Sequence, residues 1–169
     1  MLLAIINTLY LLQSPWGAHQ REVQPPPGFV TRHTEREDSV AFQGAITGIP
    51  TVMVYAFTPF TRKLCEVTLI IGKPLMFMGA RTQYQSFKTS LVEMYGKPTH
   101  SYEFFMKPYY GGDGKADLAL SEGKYNISDF WTKDLHTTIG MAMTPEGWTC
   151  ITYESRTFGK IARDEYKLR

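Results

Sequence analysis

The chain has 169 residues, 43% of them hydrophobic and 20% charged, a balance that points to one globular domain with a sizeable core. A formal net charge of +2 gives no strong pull toward nucleic acid or an anionic membrane, so no nucleic-acid partner is expected. Two cysteines, Cys65 and Cys150, are too few for a disulfide scaffold or a structural zinc site.

In chain order, the first twelve residues (MLLAIINTLYLL) are apolar, broken only by Asn7 and Thr8. The run is shorter than the about 20 apolar residues that cross a bilayer, so no transmembrane span is expected. Residues 1–13 therefore read as a leader-like segment or an N-terminal amphipathic helix, and residues 14–169 as a single α+β domain. Ser14 and Pro15 are suited to open a short helix beside Trp16, and Pro25, Pro26 and Pro27 with Gly28 end it. Residues 33–39 read as solvated loop or strand edge and residues 40–46 as a strand.

Residues 51–72 form the clearest pattern, two strands joined across Pro59 to Lys63. In the second strand Cys65, Val67, Leu69 and Ile71 alternate with Glu66 and Thr68, so the first four are expected on a core face. The first strand is apolar on both sides, as a central strand covered on both faces would be. Residues 82–95 then show helical spacing in Tyr84, Phe87 and Leu91. Thr82 and Gln85 are spaced as a capping box, and Gly96 and Pro98 stop the helix. Residues 99–106 read as a strand, 109–115 as a glycine-rich loop and 116–120 as a short strand. Residues 129–136 read as a polar connection anchored by Trp131. Residues 137–143 and 148–155 make a second hairpin over Thr144-Pro145-Glu146-Gly147. Within it Ile139, Met141 and Met143 form a heavy face, with Thr138, Gly140 and Ala142 opposite. The last twelve residues are rich in Lys and Arg and read as a solvated terminal helix.

The expected fold is thus α+β: an antiparallel sheet of about six or seven strands with one main amphipathic helix packed on a face.

No motif carries recognisable chemistry. The loop from Tyr110 to Lys115 lacks the Gly and Ser/Thr positions of a phosphate-binding loop. His19, His33, His100 and His136 never fall at metal-ligand spacing, and no Ser sits in a nucleophile elbow, so neither a metal nor a cofactor is implied. Five residues are candidates for a ligand pocket formed by the 109–115 and 130–136 regions: Tyr109, Lys115, Trp131, Asp134 and His136. A phenol, an ammonium, an indole, a carboxylate and an imidazole together can hold and orient a small polar molecule.

Several short motifs line up with one another along most of the chain. They are Ser14-Pro15-Trp16-Gly17, Gly48-Ile49-Pro50 feeding Val52 to Phe57, Tyr95-Gly96-Lys97-Pro98, Trp131, and Tyr153-Glu154-Ser155. In these the chain resembles a group of small bacterial proteins of no established activity, commonly expected to be exported. That resemblance implies an exported or periplasmic location, with a cytoplasmic one left open. Together with the lack of catalytic motifs, it implies a non-catalytic envelope or interaction protein that binds a protein partner or a second copy through its sheet. A small-ligand-binding protein or minor enzyme using the 109–115 and 130–136 pocket is the alternative.

If residues 1–13 are a leader and Trp16 plugs the core, deleting them leaves the thermal midpoint within a few degrees of the full chain. Trp16→Ala then costs about 3–5 kcal/mol. The reverse ranking in thermal denaturation makes the N-terminal segment part of the fold.

Overall fold

The structure, a computed structural model, describes residues 15–32, 36–46, 48–73 and 75–168. The leader-like segment 1–13, the capping role of Ser14 and the position of His33 lie outside them. Alternating side chains build one antiparallel sheet of eight strands among these residues. The first four are β1 (Val30–Arg32), β2 (Ser39–Ile46), β3 (Ile49–Phe57) and β4 (Leu64–Ile71). The others are β5 (His100–Phe105), β6 (Tyr125–Thr132), β7 (Thr137–Met143) and β8 (Thr149–Ser155). Their order is β1-β2-β3-β4-β8-β7-β6-β5, so two four-stranded meanders meet at the centre, where Leu69 of β4 lies opposite Ile151 of β8.

The period of two gives each strand a heavy and a light side. Met53, Tyr55, Leu69, Ile139, Met141 and Ile151 share the heavy face and are almost wholly buried. Helix α1 (Phe77–Tyr95) lies across it, chiefly on β7 and β8, and buries Tyr84, Phe87 and Leu91, as their spacing predicts. Its C-terminus is set by Gly96, whose φ of 79° suits glycine and whose N–H donates to the Val92 carbonyl at 2.9 Å.

The α+β class and the antiparallel sheet match the expectation; the individual elements differ in five places. Strands β1 and β6 raise the count to eight. Strand β6 is hard to read because Ser128 and Asp129, both polar, are buried in it. The 116–120 segment is not a strand but helix α2 (Ala116–Ser121), built from good helix formers whose Ala119 and Leu120 face the core. Helix α1 starts at Phe77, five residues before Thr82, whose hydroxyl bonds back to the Met78 carbonyl at 2.9 Å inside the helix. Its real cap comes from elsewhere: the Phe77 N–H donates to Asp117 Oδ1 of α2 at 2.6 Å.

Cys65 is the fourth difference. A bulge between Ala56 and Phe57 brings Leu64 opposite Phe57 and into the core. Cys65 is displaced toward Glu66, Glu154 and the C-terminal helix α3 (Arg156–Tyr166), and its Sγ donates to the Ala56 carbonyl at 3.3 Å. The fifth is α3 itself, which is docked rather than solvated. Gly159 and Ala162 are buried against the light face, where a Cβ on Gly159 would collide with the Glu154 carboxylate. Glu165 accepts from the Phe60 N–H at 2.6 Å and from Thr61 Oγ1 at 2.8 Å, and the Tyr166 hydroxyl donates to Asp38 at 2.5 Å.

At the N-terminal side a 3-10 turn, Gln20–Glu22, is capped by His19. Trp16 is half-buried, its indole N–H donating to Thr137 Oγ1 at 3.0 Å. A half-buried indole has less to lose than a core plug, so Trp16→Ala belongs at or below the bottom of the ~3–5 kcal/mol range.

Asp129 couples the helix to the sheet. It is 1% exposed, yet it accepts from the Tyr84 hydroxyl at 2.7 Å, from Lys88 Nζ at 2.7 Å and from Ser101 Oγ. Asp129→Ala strands the buried Tyr84 hydroxyl, the Ser101 hydroxyl and a cation, and should cost about 3–5 kcal/mol in urea denaturation. A loss under about 1 kcal/mol would show that packing alone holds α1 in place.

Candidate functional site

The sequence-expected pocket residues are spread over the molecule. Tyr109 is buried in the core and Lys115 is exposed. Asp113 occupies the glycine loop itself, accepting from the Lys115 N–H at 2.8 Å and the Tyr110 N–H at 3.1 Å. These bonds hold its carboxyl below the usual range and turn the loop's amides toward its own side chain instead of a phosphate. Trp131 faces the core, its indole N–H donating to the Gly96 carbonyl at 2.9 Å. Asp134 and His136 are exposed in the β6–β7 turn. There Asp134 accepts from the His136 and Thr137 N–H groups, both at 2.7 Å, which hold its carboxyl low as well. Strand β6, eight residues or about 25 Å long, separates this turn from the 109–115 loop, so the two regions do not close around one cavity.

The light face of β5–β8 forms a groove instead. Helix α3 covers the β4 side of that face, which leaves Thr138, Gly140 and Ala142 of β7 and Cys150 and Thr152 of β8 as a shallow floor. The hollow measures about 750 Å³. Small side chains create the depression, and Phe130 leans over Gly140, where a Cβ would stand 3.4 Å from its ring. Tyr102 meets Phe130 edge to face at 6.2 Å, and together they form a wall. Both rings are about half exposed, Tyr102 at 50% and Phe130 at 44%, in a place where large apolar side chains are usually covered.

Beside the groove runs the β5 edge. Residues His100 to Phe104 are all exposed, and among the described residues no strand pairs with the outer side of β5. Glu103 there is tied by Arg81 Nε at 2.9 Å and by the Tyr125 hydroxyl at 2.8 Å. Burial pushes its carboxyl up, but these bonds together outweigh that and hold it below the usual range.

Phe130 and Trp131, within the expected 130–136 region, both line this groove, whereas Tyr102 and Thr152 were not among the expected pocket residues. The available signal was the light face of Thr138, Gly140 and Ala142 opposite the heavy core face. Both cysteines are free thiols. Burial pushes Cys65 up to about 12 and Cys150 up to about 11, so both are protonated at neutral pH. Among the described residues no three His, Cys, Asp or Glu side chains gather to hold a metal ion, and no helix is long and apolar enough to cross a membrane.

No family model matches the chain, and neither curated proteins nor solved structures yield a match.

Cys150 lies in the groove floor with its thiol pushed up to about 11 by burial, so its thiolate is about a hundredfold scarcer than that of a free thiol. Alkylation by iodoacetamide at pH 8, followed by mass spectrometry, should be slower than that of free cysteine by about that factor. The rate should climb roughly tenfold per pH unit toward pH 11. A rapid reaction at neutral pH would mean an activated thiol.

Proposed function

We propose that the chain is a non-catalytic interaction protein of the bacterial envelope that binds another protein chain through its sheet, with the β5 edge as the docking strand. The observation that carries the reading is this edge: six residues long, exposed from His100 to Phe104, and flanked by Tyr102 and Phe104. An unpaired strand offers backbone donors and acceptors to an incoming strand, while exposed aromatic side chains add apolar contact. Natural edges of this length are usually blunted by lysine, proline or a covering loop, and β5 carries neither residue. The other edge, β1, has only three residues and is a poorer template. The envelope location rests on the leader-like first residues and the motif resemblance.

The simplest occupant is a second copy, whose β5 can pair with this one about a two-fold axis. Sedimentation velocity should therefore show a concentration-dependent dimer. Phe104→Lys, which puts a charge on the edge without touching the core, should dissociate it and leave the thermal midpoint unchanged. A protein that stays monomeric at high concentration, or a dimer indifferent to Phe104→Lys, counts against pairing through β5.

A further inference from the structure

We propose that the groove on the light face of β5–β8 binds a linear amphiphile, a medium-length single acyl chain ending in a carboxylate. This site lies beyond the strand-pairing reading, because it uses side chains on the sheet face and not the backbone of its edge. The floor contains Gly140, Ala142, Cys150 and Thr152, with no charge among them, and Phe130 and Tyr102 wall one side. The volume of about 750 Å³ falls within the roughly 300–1,000 Å³ of small-molecule sites. From Thr138 to Ala142 the floor runs four residues along β7, about 13 Å at a strand's rise, which suits an extended chain rather than a globular ligand.

Charge at the open end selects the head group. Arg156, the first residue of α3, reaches Thr132 at that end, its Nη2 donating to Thr132 Oγ1 at 3.3 Å. Among the described residues Arg156 forms no ion pair, whereas Glu154, which lines the groove at this end, is already paired with Arg163. The Arg156 guanidinium at the mouth presents a planar fork to one carboxylate, while the pairing with Arg163 offsets Glu154, the one carboxylate lining the groove.

The test is calorimetric titration of the full chain with octanoate, decanoate and dodecanoate below their micelle concentrations. Affinity should rise about twofold to fourfold per added methylene, the range from half to full burial of each group. Dodecanoate should also protect Cys150 from alkylation. Arg156→Gln should weaken dodecanoate about twofold to fivefold, as an exposed ion pair does, and leave dodecanol unchanged. Ala142→Phe and Thr152→Phe each fill the floor and should abolish binding of both ligands; if one fails to fold, the other decides. Phe104→Lys should leave dodecanoate binding intact, which separates this site from the edge. The proposal is overturned by absence of saturable binding, by affinity independent of chain length, or by binding that survives the filled variants. It also falls if the protein binds only phosphatidylglycerol vesicles, if binding appears only after residues 1–13 are removed, or if Thr152→Phe dissociates a dimer without affecting the acid.

Discussion

A carboxylate placed inside a protein must be surrounded by donors, and the position of Asp129 constrains much of what lies around it. Its three partners come from two separate elements: Tyr84 and Lys88 lie one turn apart on α1, and Ser101 belongs to β5. The spacing of four residues puts the phenol and the ammonium on one side of the helix, above one oxygen pair. The bonds therefore fix the rotation of α1 about its axis and its position along β6, while the apolar contacts of Phe87 and Leu91 supply the driving force for burial. The same carboxylate reaches Ser101 and holds the edge strand β5 to the body of the sheet. A hydrophobic residue at position 129 would pack, but it would not specify the register of three elements at once.

With α1 committed to the heavy face, the light face is left to α3. That helix covers the β4 side and is fastened at both ends, by Ser155 capping the Phe158 N–H and by Glu165 bonding the β3–β4 turn. It leaves the β5–β8 part of the face uncovered. The groove and the exposed aromatic side chains follow from this unequal coverage, since an eight-stranded sheet is wider than one helix of eleven residues can cover.

The two thiols illustrate the difference between burial and function. Cys65 and Cys150 both sit in strands, and burial pushes both thiols up. The register of β4 on β8 places Cys150 opposite Ile70, five residues from Cys65, so the sheet geometry keeps them from pairing. Their chemistry is that of small apolar side chains, and only Cys150 borders a surface where a ligand would sense it.

What the sequence alone determined was everything carried by local period and local stops. Alternation in β4 and β7 assigned their faces, helical spacing assigned Tyr84, Phe87 and Leu91 to the core, and Gly96 and Pro98 ended α1. These signals survive because burial on a strand or helix repeats every two or 3.6 residues whatever the partner. What only the tertiary structure decided depends on residues distant in sequence. Phe77 begins α1 because Asp117, forty residues later, supplies the cap. Strand β6 tolerates a buried Asp129 because α1 and β5 bring its donors. Cys65 stays buried but packs beside α3 instead of under α1, because a bulge inserts one residue into its strand. The candidate pocket of Tyr109, Lys115, Trp131, Asp134 and His136 was grouped by nearness in sequence, but β6 carries its two halves to opposite ends of the sheet. The groove that does exist is lined by residues of four strands, and their common face is a property of register that no single segment encodes.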